Sequence, residues 1–303
     1  MTRAWVRRAL GDGERVVRIE ALHGGVTAEM RRLTVAGPGG SGRELVLRSY
    51  VDPFFVDRAE EALERESGAL GVLAGAADVP APGLIAADPT AAHCEYPSLL
   101  MTCLPGRTHL CDEGLETRVR LLARQLVAIH QVCPAEQPPK YEALTTADTV
   151  VVPEGADAAA WAAAIDVIRE PAPPYEGRFL HRDFHLGNVL FDTPTTRITG
   201  VVDWAGASWG PADLDVAHTC TNLALVHGPE WGQRFADAYE EAGGVLAGEP
   251  GERLYWRVRD ALAFSEEVEV VARPWRDAGR TELTTRVVKR RLDAYVTGLM
   301  SSA

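Results

Sequence analysis

The chain has 303 residues, of which 46% are hydrophobic and 24% charged, a composition that can bury a sizeable core and excludes disordered, collagen-like and mini-protein scaffolds. It carries 31 Lys+Arg against 43 Asp+Glu, a net charge of −12. The charge is spread without an acidic tail or a basic arm, which argues against a nucleic-acid partner.

The cysteines (Cys94, Cys103, Cys111, Cys133 and Cys220) are odd in number, widely spaced and without a C-x-x-C pair. That pattern disfavours a disulfide framework and a structural zinc site, and a reducing cytoplasm is the expected compartment. No stretch reaches the ~18 apolar residues of a membrane helix, and the amino terminus lacks the apolar core of a signal peptide.

Residues 15–22 predict a strand, residues 23–25 a turn, and 29–35 a second strand-like run. The glycine-rich segment 37–42 predicts a hairpin loop, and 44–50 alternates like a half-buried strand. Residues 57–74 predict a helix with Leu63, Leu70 and Leu73 near helical spacing, closed by Pro80 and Pro82. The apolar run 97–104 predicts a buried strand that Pro105-Gly106 ends. Helices are expected over 114–131 and 154–169, separated by a Pro-rich irregular stretch. Residues 178–203 predict two short strands around a loop, and 212–300 is mostly helical. The order is a small β-rich amino-terminal lobe, a connection near 103–107 and a larger α-rich lobe.

Residues 179–192 read FLHRDFHLGNVLFD and 198–206 read ITGVVDWAG. His181, Asp183, Asn188 and Asp203 fall in order, with an apolar strand after Asn188 and another before Asp203. A hairpin of those strands would carry Asn188 and Asp203 to neighbouring positions. An amide oxygen beside a carboxylate makes an oxygen-only site suited to Mg²⁺. Asp183 would stand nearby as a further carboxylate that orients a hydroxyl or accepts its proton. Phosphoryl transfer needs those parts. The bland alternatives are a salt-bridged surface turn for HRD and a helix N-cap for Asp203.

This pattern resembles the aminoglycoside phosphotransferase family of the protein-kinase-like superfamily, whose H-x-D-x-x-x-x-N loop and later metal-binding aspartate are matched here. The resemblance implies an α+β fold of two lobes. Residues 1–102 would form the nucleotide-binding lobe, 103–107 the hinge, and 108–303 the catalytic and substrate-binding lobe, with ATP held between the lobes and GTP as the alternative donor. It assigns Asp183 as the catalytic carboxylate and Asn188 and Asp203 to Mg²⁺. His181 becomes a structural brace for Asp183, and Asp215 a brace for the loop from the following helix.

The same resemblance places Gly24 and Gly25 in a loop over the phosphates, where a plain hairpin turn is the competing reading. It expects a lysine on the third strand, but Lys140 and Lys289 are the only lysines, and Arg48 occupies the matching place. An arginine binds phosphate bidentately and stays charged. Glu66, with Glu64 as rival, would pair with that cation. Met101 would line the adenine pocket, and the backbones of Thr102 and Leu104 would hydrogen-bond the base. His185 is read chiefly as loop filling, and Glu266, Glu267 and Glu269 as a mostly solvated acidic cluster with a minor claim on a cationic substrate.

The implied activity is ATP-dependent O-phosphorylation of a small hydroxyl compound, an aminoglycoside or related antibiotic among the acceptors, in the cytoplasm and without a nucleic-acid or membrane partner. Alternatives are a kinase of a small metabolite such as choline or homoserine, a kinase-fold nucleotide-binding protein without turnover, and a metal-dependent phosphohydrolase using the same carboxylates.

Overall fold

The computed structural model describes residues 1–22, 27–193, 197–266 and 268–302. The chain divides into two compact units. One comprises Met1–Gly106 and Thr199–Ala207, and the other Arg107–Ile198 and Ser208–Ala303.

The first unit runs α1 (Thr2–Ala9), β1 (Arg15–Leu22), β2 (Glu29–Ala36), β3 (Gly42–Ser49), α2 (Pro53–Val56), α3 (Ala59–Leu73), β4 (Leu84–Asp88) and β5 (Ser98–Thr102). Its five strands form an antiparallel sheet in the order β1-β2-β3-β5-β4. β3 is the central strand, and Arg48 on it registers with Met30 on one side and Leu99 on the other. Leu45 and Leu47 join a core with Trp5, Val6, Leu33, Val35 and Leu100. Because side chains alternate along a strand, Val46 and Arg48 point to the opposite face. There α3 packs on β4 and β5. The buried face of α3 carries Leu63, Glu66, Leu70 and Leu73 at steps of three and four. Glu66 thus stands in an otherwise apolar stripe, where an unpaired carboxylate would be costly.

The sequence pattern overlooked α1 and β4. Arg3, Arg7 and Arg8 crowd the two core residues of α1. In β4 the sequence LIAAD sits directly behind Pro80 and Pro82, which read as a break.

The second unit contains α4 (Leu115–His130), α5 (Ala158–Arg169), β6 (Gly177–Leu180), β7 (Val189–Phe191), the start of β8 (Ile198–Val201), β9 (Ser208–Pro211), α6 (Ala212–His227), α7 (Pro229–Glu241), α8 (Pro250–Ala263), α9 (Val268–Asp277) and α10 (Thr285–Ser301). The expected helix start at 154 moves to Ala158, because the Asp157 carboxylate accepts from the Ala159 and Ala160 N–H groups and caps the helix there. Four short strands lie between 177 and 211 where two were expected over 178–203, and β6 pairs antiparallel with β9. After β7, the Asp192 N–H donates to the Arg197 carbonyl at 3.2 Å and the Arg197 N–H to Asp192 Oδ1 at 3.0 Å.

β6 leads straight into His181, and β9 leads straight into α6. Every residue of α6 is buried, so this helix lies at the centre of its unit, with α7 and α8 against it. Its polar residues therefore need internal partners. At Gly232, α7 approaches closely: a Cβ there would lie 2.6 Å from the Tyr295 ring and 3.1 Å from the Cys220 carbonyl oxygen of α6. Gly232→Ala is expected to lower the unfolding free energy by about 1–3 kcal/mol through overpacking, measured by urea denaturation.

Candidate active site

Within the first unit, Arg48 sits between two acids. Its Nη1 lies 2.5 Å from Glu66 Oε2 and its Nη2 2.8 Å from Asp203 Oδ1. Glu66 is fully buried, whereas the Asp203 side chain keeps 34% of its surface exposed. Glu64 faces solvent, so Glu66 is the partner that reaches the cation. Glu66 also accepts the Trp204 backbone N–H. Burial pushes the Glu66 carboxyl up against the opposing pull of Arg48, and the negative charge of Asp203 adds to the rise. Burial opposes the charge on Arg48, but Glu66 and Asp203 outweigh it and hold the guanidinium more firmly protonated than a free arginine.

A planar fork explains this arrangement: one guanidinium spans two carboxylates, which an ammonium on a single stem does less well. Asp203 takes a left-handed backbone, φ 67°, at the mouth of a short 3₁₀ turn, Trp204–Gly206, whose amides its side chain does not cap. The N-cap reading of Asp203 is therefore not realised.

The second unit holds the loop from His181 to Asn188. Asp215, fully buried on α6, accepts the His181 N–H at 2.7 Å and the Arg182 N–H at 2.8 Å. His130 Nε2 lies 3.3 Å from the same carboxylate, and its Nδ1 lies 2.7 Å from the Tyr239 hydroxyl. Burial alone would raise the Asp215 carboxyl, but the hydrogen bond and charge of His130 bring it below its ordinary value. His181 Nδ1 accepts the Asp183 N–H at 3.2 Å. Thr219 Oγ1 on α6 donates to the Phe184 carbonyl at 2.8 Å. The loop is thus fixed to α6 through its backbone at residues 181, 182 and 184.

The Asp183 carboxylate is then held by three side chains. Asn188 Nδ2 donates to Oδ2 at 2.8 Å and also to the Asp183 carbonyl at 2.9 Å. His185 Nε2 lies 3.3 Å and His218 Nε2 3.2 Å from Oδ1. Burial would raise this carboxyl, but the charge and hydrogen bond of His185, with those of His218, hold it well below the usual carboxylate range. Its side chain nonetheless remains 45% exposed, so the ionised group faces outward.

Each unit holds one oxygen donor of the kind a hard cation takes. Because the Asn188 amide nitrogen is directed at Asp183, its oxygen points the other way and makes no hydrogen bond among the described residues. In the first unit, Asp203 separately keeps a part-exposed carboxylate. No group of three or more His, Cys, Asp or Glu side chains able to hold a metal ion is found among the described residues. The Asn188 oxygen and the Asp203 carboxylate are each a donor of the kind a hard cation such as Mg²⁺ takes, with water and phosphate commonly completing its shell.

The other predicted residues are placed as follows. Met101 is buried at the end of β5, and Thr102 and Leu104 are half-buried. The Thr102 N–H already donates to the Gly83 carbonyl at 2.9 Å, so of its backbone groups only the carbonyl could serve a base. Gly24 and Gly25 lie outside the described residues, as does Glu267. Glu269 is tied to Arg276 and to the Thr285 hydroxyl, a local clasp across α9 and α10. The five cysteines are all free. No described helix is long and apolar enough to cross a membrane.

The spacing of His181, Asp183, Asn188 and Asp203, the Arg48–Glu66 pair and the loop anchored on Asp215 invite comparison with known proteins. A family profile described as phosphotransferase enzyme family matches residues 18–255. The chain belongs to this family. Members and relatives of solved structure share its fold at low identity. A Ralstonia eutropha JMP134 protein provisionally described as an aminoglycoside phosphotransferase is 16% identical, with a TM-score of 0.65 over 100% of this chain and 98% of that one. Macrolide 2'-phosphotransferase type I is 19% identical, TM-score 0.60, over 94% and 96%. A thermostable mutant of the aminoglycoside phosphotransferase APH(4)-Ia is 19% identical, TM-score 0.59, over 97% of each chain. No curated protein matches the chain. This phosphotransferase-family chain accordingly has the α+β, protein-kinase-like fold that its motif suggested.

Sequence reasoning passed over two residues of this phosphotransferase-family site, His218 and Asp260. His218 ends the segment GPADLDVAH that drew attention to Asp215, but no family motif marks it. Asp260 lies on α8 four residues after buried Trp256, among Val258, Ala261 and Leu262. An acid on an apolar helix face was the available signal.

Arg48→Ala should leave Glu66 buried and unpaired and is expected to cost about 3–5 kcal/mol of stability, read by chemical denaturation. Arg48→Lys should recover part of that loss, since one ammonium can neutralise Glu66 without spanning both acids.

Proposed function

We propose that the protein transfers the γ-phosphate of ATP to a hydroxyl of a small molecule, with GTP as the alternative donor. The observation that carries this reading is the Asp183 carboxylate. It is ionised, part-exposed and oriented by Asn188, His185 and His218 on a loop whose backbone Asp215 fixes.

Asp183 would accept a hydrogen bond from the acceptor hydroxyl and aim its oxygen at the phosphorus. A carboxylate held so far below the ordinary range is a weak base. That suits a loose transition state in which the hydroxyl proton leaves late and positioning dominates. Asn188 and Asp203 are the proposed Mg²⁺ ligands, and the cation would neutralise phosphate charge when bound. Arg48 would contact the phosphates, held in place by Glu66. Gly24 and Gly25 would lie over the phosphates, and Met101, Thr102 and Leu104 would receive the base. Residues 1–102 would act as the nucleotide lobe, 103–107 as the hinge and 108–303 as the catalytic and acceptor lobe. His181 and Asp215 serve as structural support. The five free thiols agree with a cytoplasmic location.

Nucleotide use finds support in structural neighbours described as ternary complexes with ADP or AMP-PNP and hygromycin B. Those names, with the macrolide enzymes, make hydroxyl-bearing antibiotics the first acceptors to test, before choline and homoserine. One observation favours the rival reading of nucleotide binding without turnover: Asp203 is already paired with Arg48, and a metal would have to compete for it.

The test is a screen of hydroxyl-bearing antibiotics and small alcohols for Mg²⁺-dependent phosphorylation from ATP. Transfer to at least one acceptor is expected, and Asp183→Asn should lower its rate roughly 10²- to 10⁴-fold while nucleotide affinity holds. Binding of ATP with neither transfer nor hydrolysis would favour the rival. Full turnover by Asp183→Asn would remove Asp183 from its role.

A further inference from the structure

Behind Asp183 lies a row of charge that the family motif does not include. His218, buried on α6, places Nδ1 3.1 Å from Asp260 Oδ1 and Nε2 3.2 Å from Asp183 Oδ1. Asp260, on α8, is itself buried, and its Oδ2 has no hydrogen-bond partner among the described residues. An ionised carboxylate only accepts, and a neutral imidazole has a single N–H. Both contacts can be hydrogen bonds only if the ring carries two protons. Asn222 Nδ2 also lies 3.1 Å from Nε2, but the same amide is 3.1 Å from the His218 carbonyl. Its hydrogens can serve that oxygen, and no lone pair on Nε2 is required.

Among the described residues, the charged and titratable groups facing the ring are Asp183 and His185 from the loop and Asp260 from α8. The His185 ring centre is 6.4 Å away, and the Phe264 ring covers another side at 5.7 Å.

We propose that His218 is a positioning residue for phosphoryl transfer: clamped between Asp260 and Asp183, it fixes the plane of the Asp183 carboxylate against the acceptor hydroxyl. The inference rests on the reading of Asp183 as the hydroxyl-orienting group. His218 does not exchange a proton in the reaction; it keeps both.

The electrostatics agree with the geometry. Burial would drive the imidazole toward its neutral form, but the charge of Asp260 and the hydrogen bonds to Asp183 and Asp260 outweigh it and push the pKa up to about 10. A group raised on folding contributes stability below its unfolded value, about 6.5, and loses that contribution as pH rises through its folded value. Across neutral pH the clamp is therefore closed. Without Asp260, the ring keeps its burial and only the part-exposed Asp183 opposes it, so the proton should leave at lower pH. A neutral ring satisfies one carboxylate at most, and Asp183 is freed to rotate.

The test combines NMR and kinetics on the full chain. With isotope-labelled histidine, the His218 ring in the wild-type protein should give the doubly protonated signature at pH 8.5. In Asp260→Asn the ring should titrate below pH 8. The rate constant of Mg²⁺-dependent ATP turnover, to water or to a screened acceptor, should then fall along a new alkaline limb at that same pH, with KM for ATP unchanged. In His218→Asn, kcat should drop about 10²-fold, the cost of ångström-scale misplacement, again with KM for ATP held.

A neutral His218 in the wild type at pH 8.5 would overturn the proposal, whether or not the variants fold. So would an Asp260→Asn profile that stays flat while NMR reports loss of the proton. Asp183→Asn separates the two readings: undiminished turnover there defeats the role of Asp183, whereas loss of turnover in Asp183→Asn with a flat Asp260→Asn profile defeats only the role of His218.

Discussion

The Asp215 carboxylate sets the frame on which the His181–Asn188 loop depends. Arg182 has a left-handed backbone, φ 73°, which costs a non-glycine residue roughly 1–2 kcal/mol. Two hydrogen bonds from adjacent amides to one ionised group contribute roughly 1.5–3 kcal/mol each, so the bonds win and the turn is held. The carboxylate is in turn held by His130, and His130 by Tyr239, so the loop is anchored to three helices of its unit. A carboxylate so buried has little freedom, and the direction of the Asp183 side chain follows from it.

The replacement of lysine by arginine on β3 changes more than the identity of a cation. An ammonium is a compact point charge, whereas the guanidinium presents separate donors in a plane. Arg48 uses that plane to touch Glu66 and Asp203 at once. The buried pair is therefore coupled to a carboxylate that also faces solvent. Breaking either contact leaves a charge on the other, and for that reason the three residues behave as one electrostatic group and not as a pair with a bystander.

Much of this was legible in the sequence because the relevant signals are local. The H-x-D-x-x-x-x-N spacing is a property of one loop, and the α3 period puts Glu66 on the buried face, whereas Arg48 is marked by the family resemblance, since the alternation of β3 sets it opposite the Leu45 and Leu47 core. Helix α3 is instructive: its leucines mark an apolar stripe, and the stripe continues through Glu66. An acid in that place predicts a buried cation. What escaped was either short or long-range. The α1 helix and the four-residue strands β6 and β9 have too few residues for a period to emerge. His218 and Asp260 are 42 residues apart, and their meeting is decided by how α8 packs on α6. α6 falls within the 212–300 stretch read as helical, although its burial on every side leaves it no polar face to contrast with an apolar one.

Both charge groups have the same construction, and the difference between them is informative. In each, a fully buried acid, Glu66 or Asp260, holds a buried cation, and the cation holds a second acid that remains part-exposed, Asp203 or Asp183. The buried acid offsets the desolvation of the cation, and the cation orients the outer acid; for Asp183 the cation also helps hold the carboxyl below its ordinary value. That outer acid is left with surface for a ligand. A guanidinium cannot lose its proton in the working range, so the Arg48 group is fixed in charge and responds only to another cation competing for Asp203. An imidazolium can lose one, and its charge persists only while Asp260 stands beside it. The ring of His218 therefore depends on its neighbour for its protonation state in a way that Arg48 does not, and the orientation of Asp183 inherits that dependence.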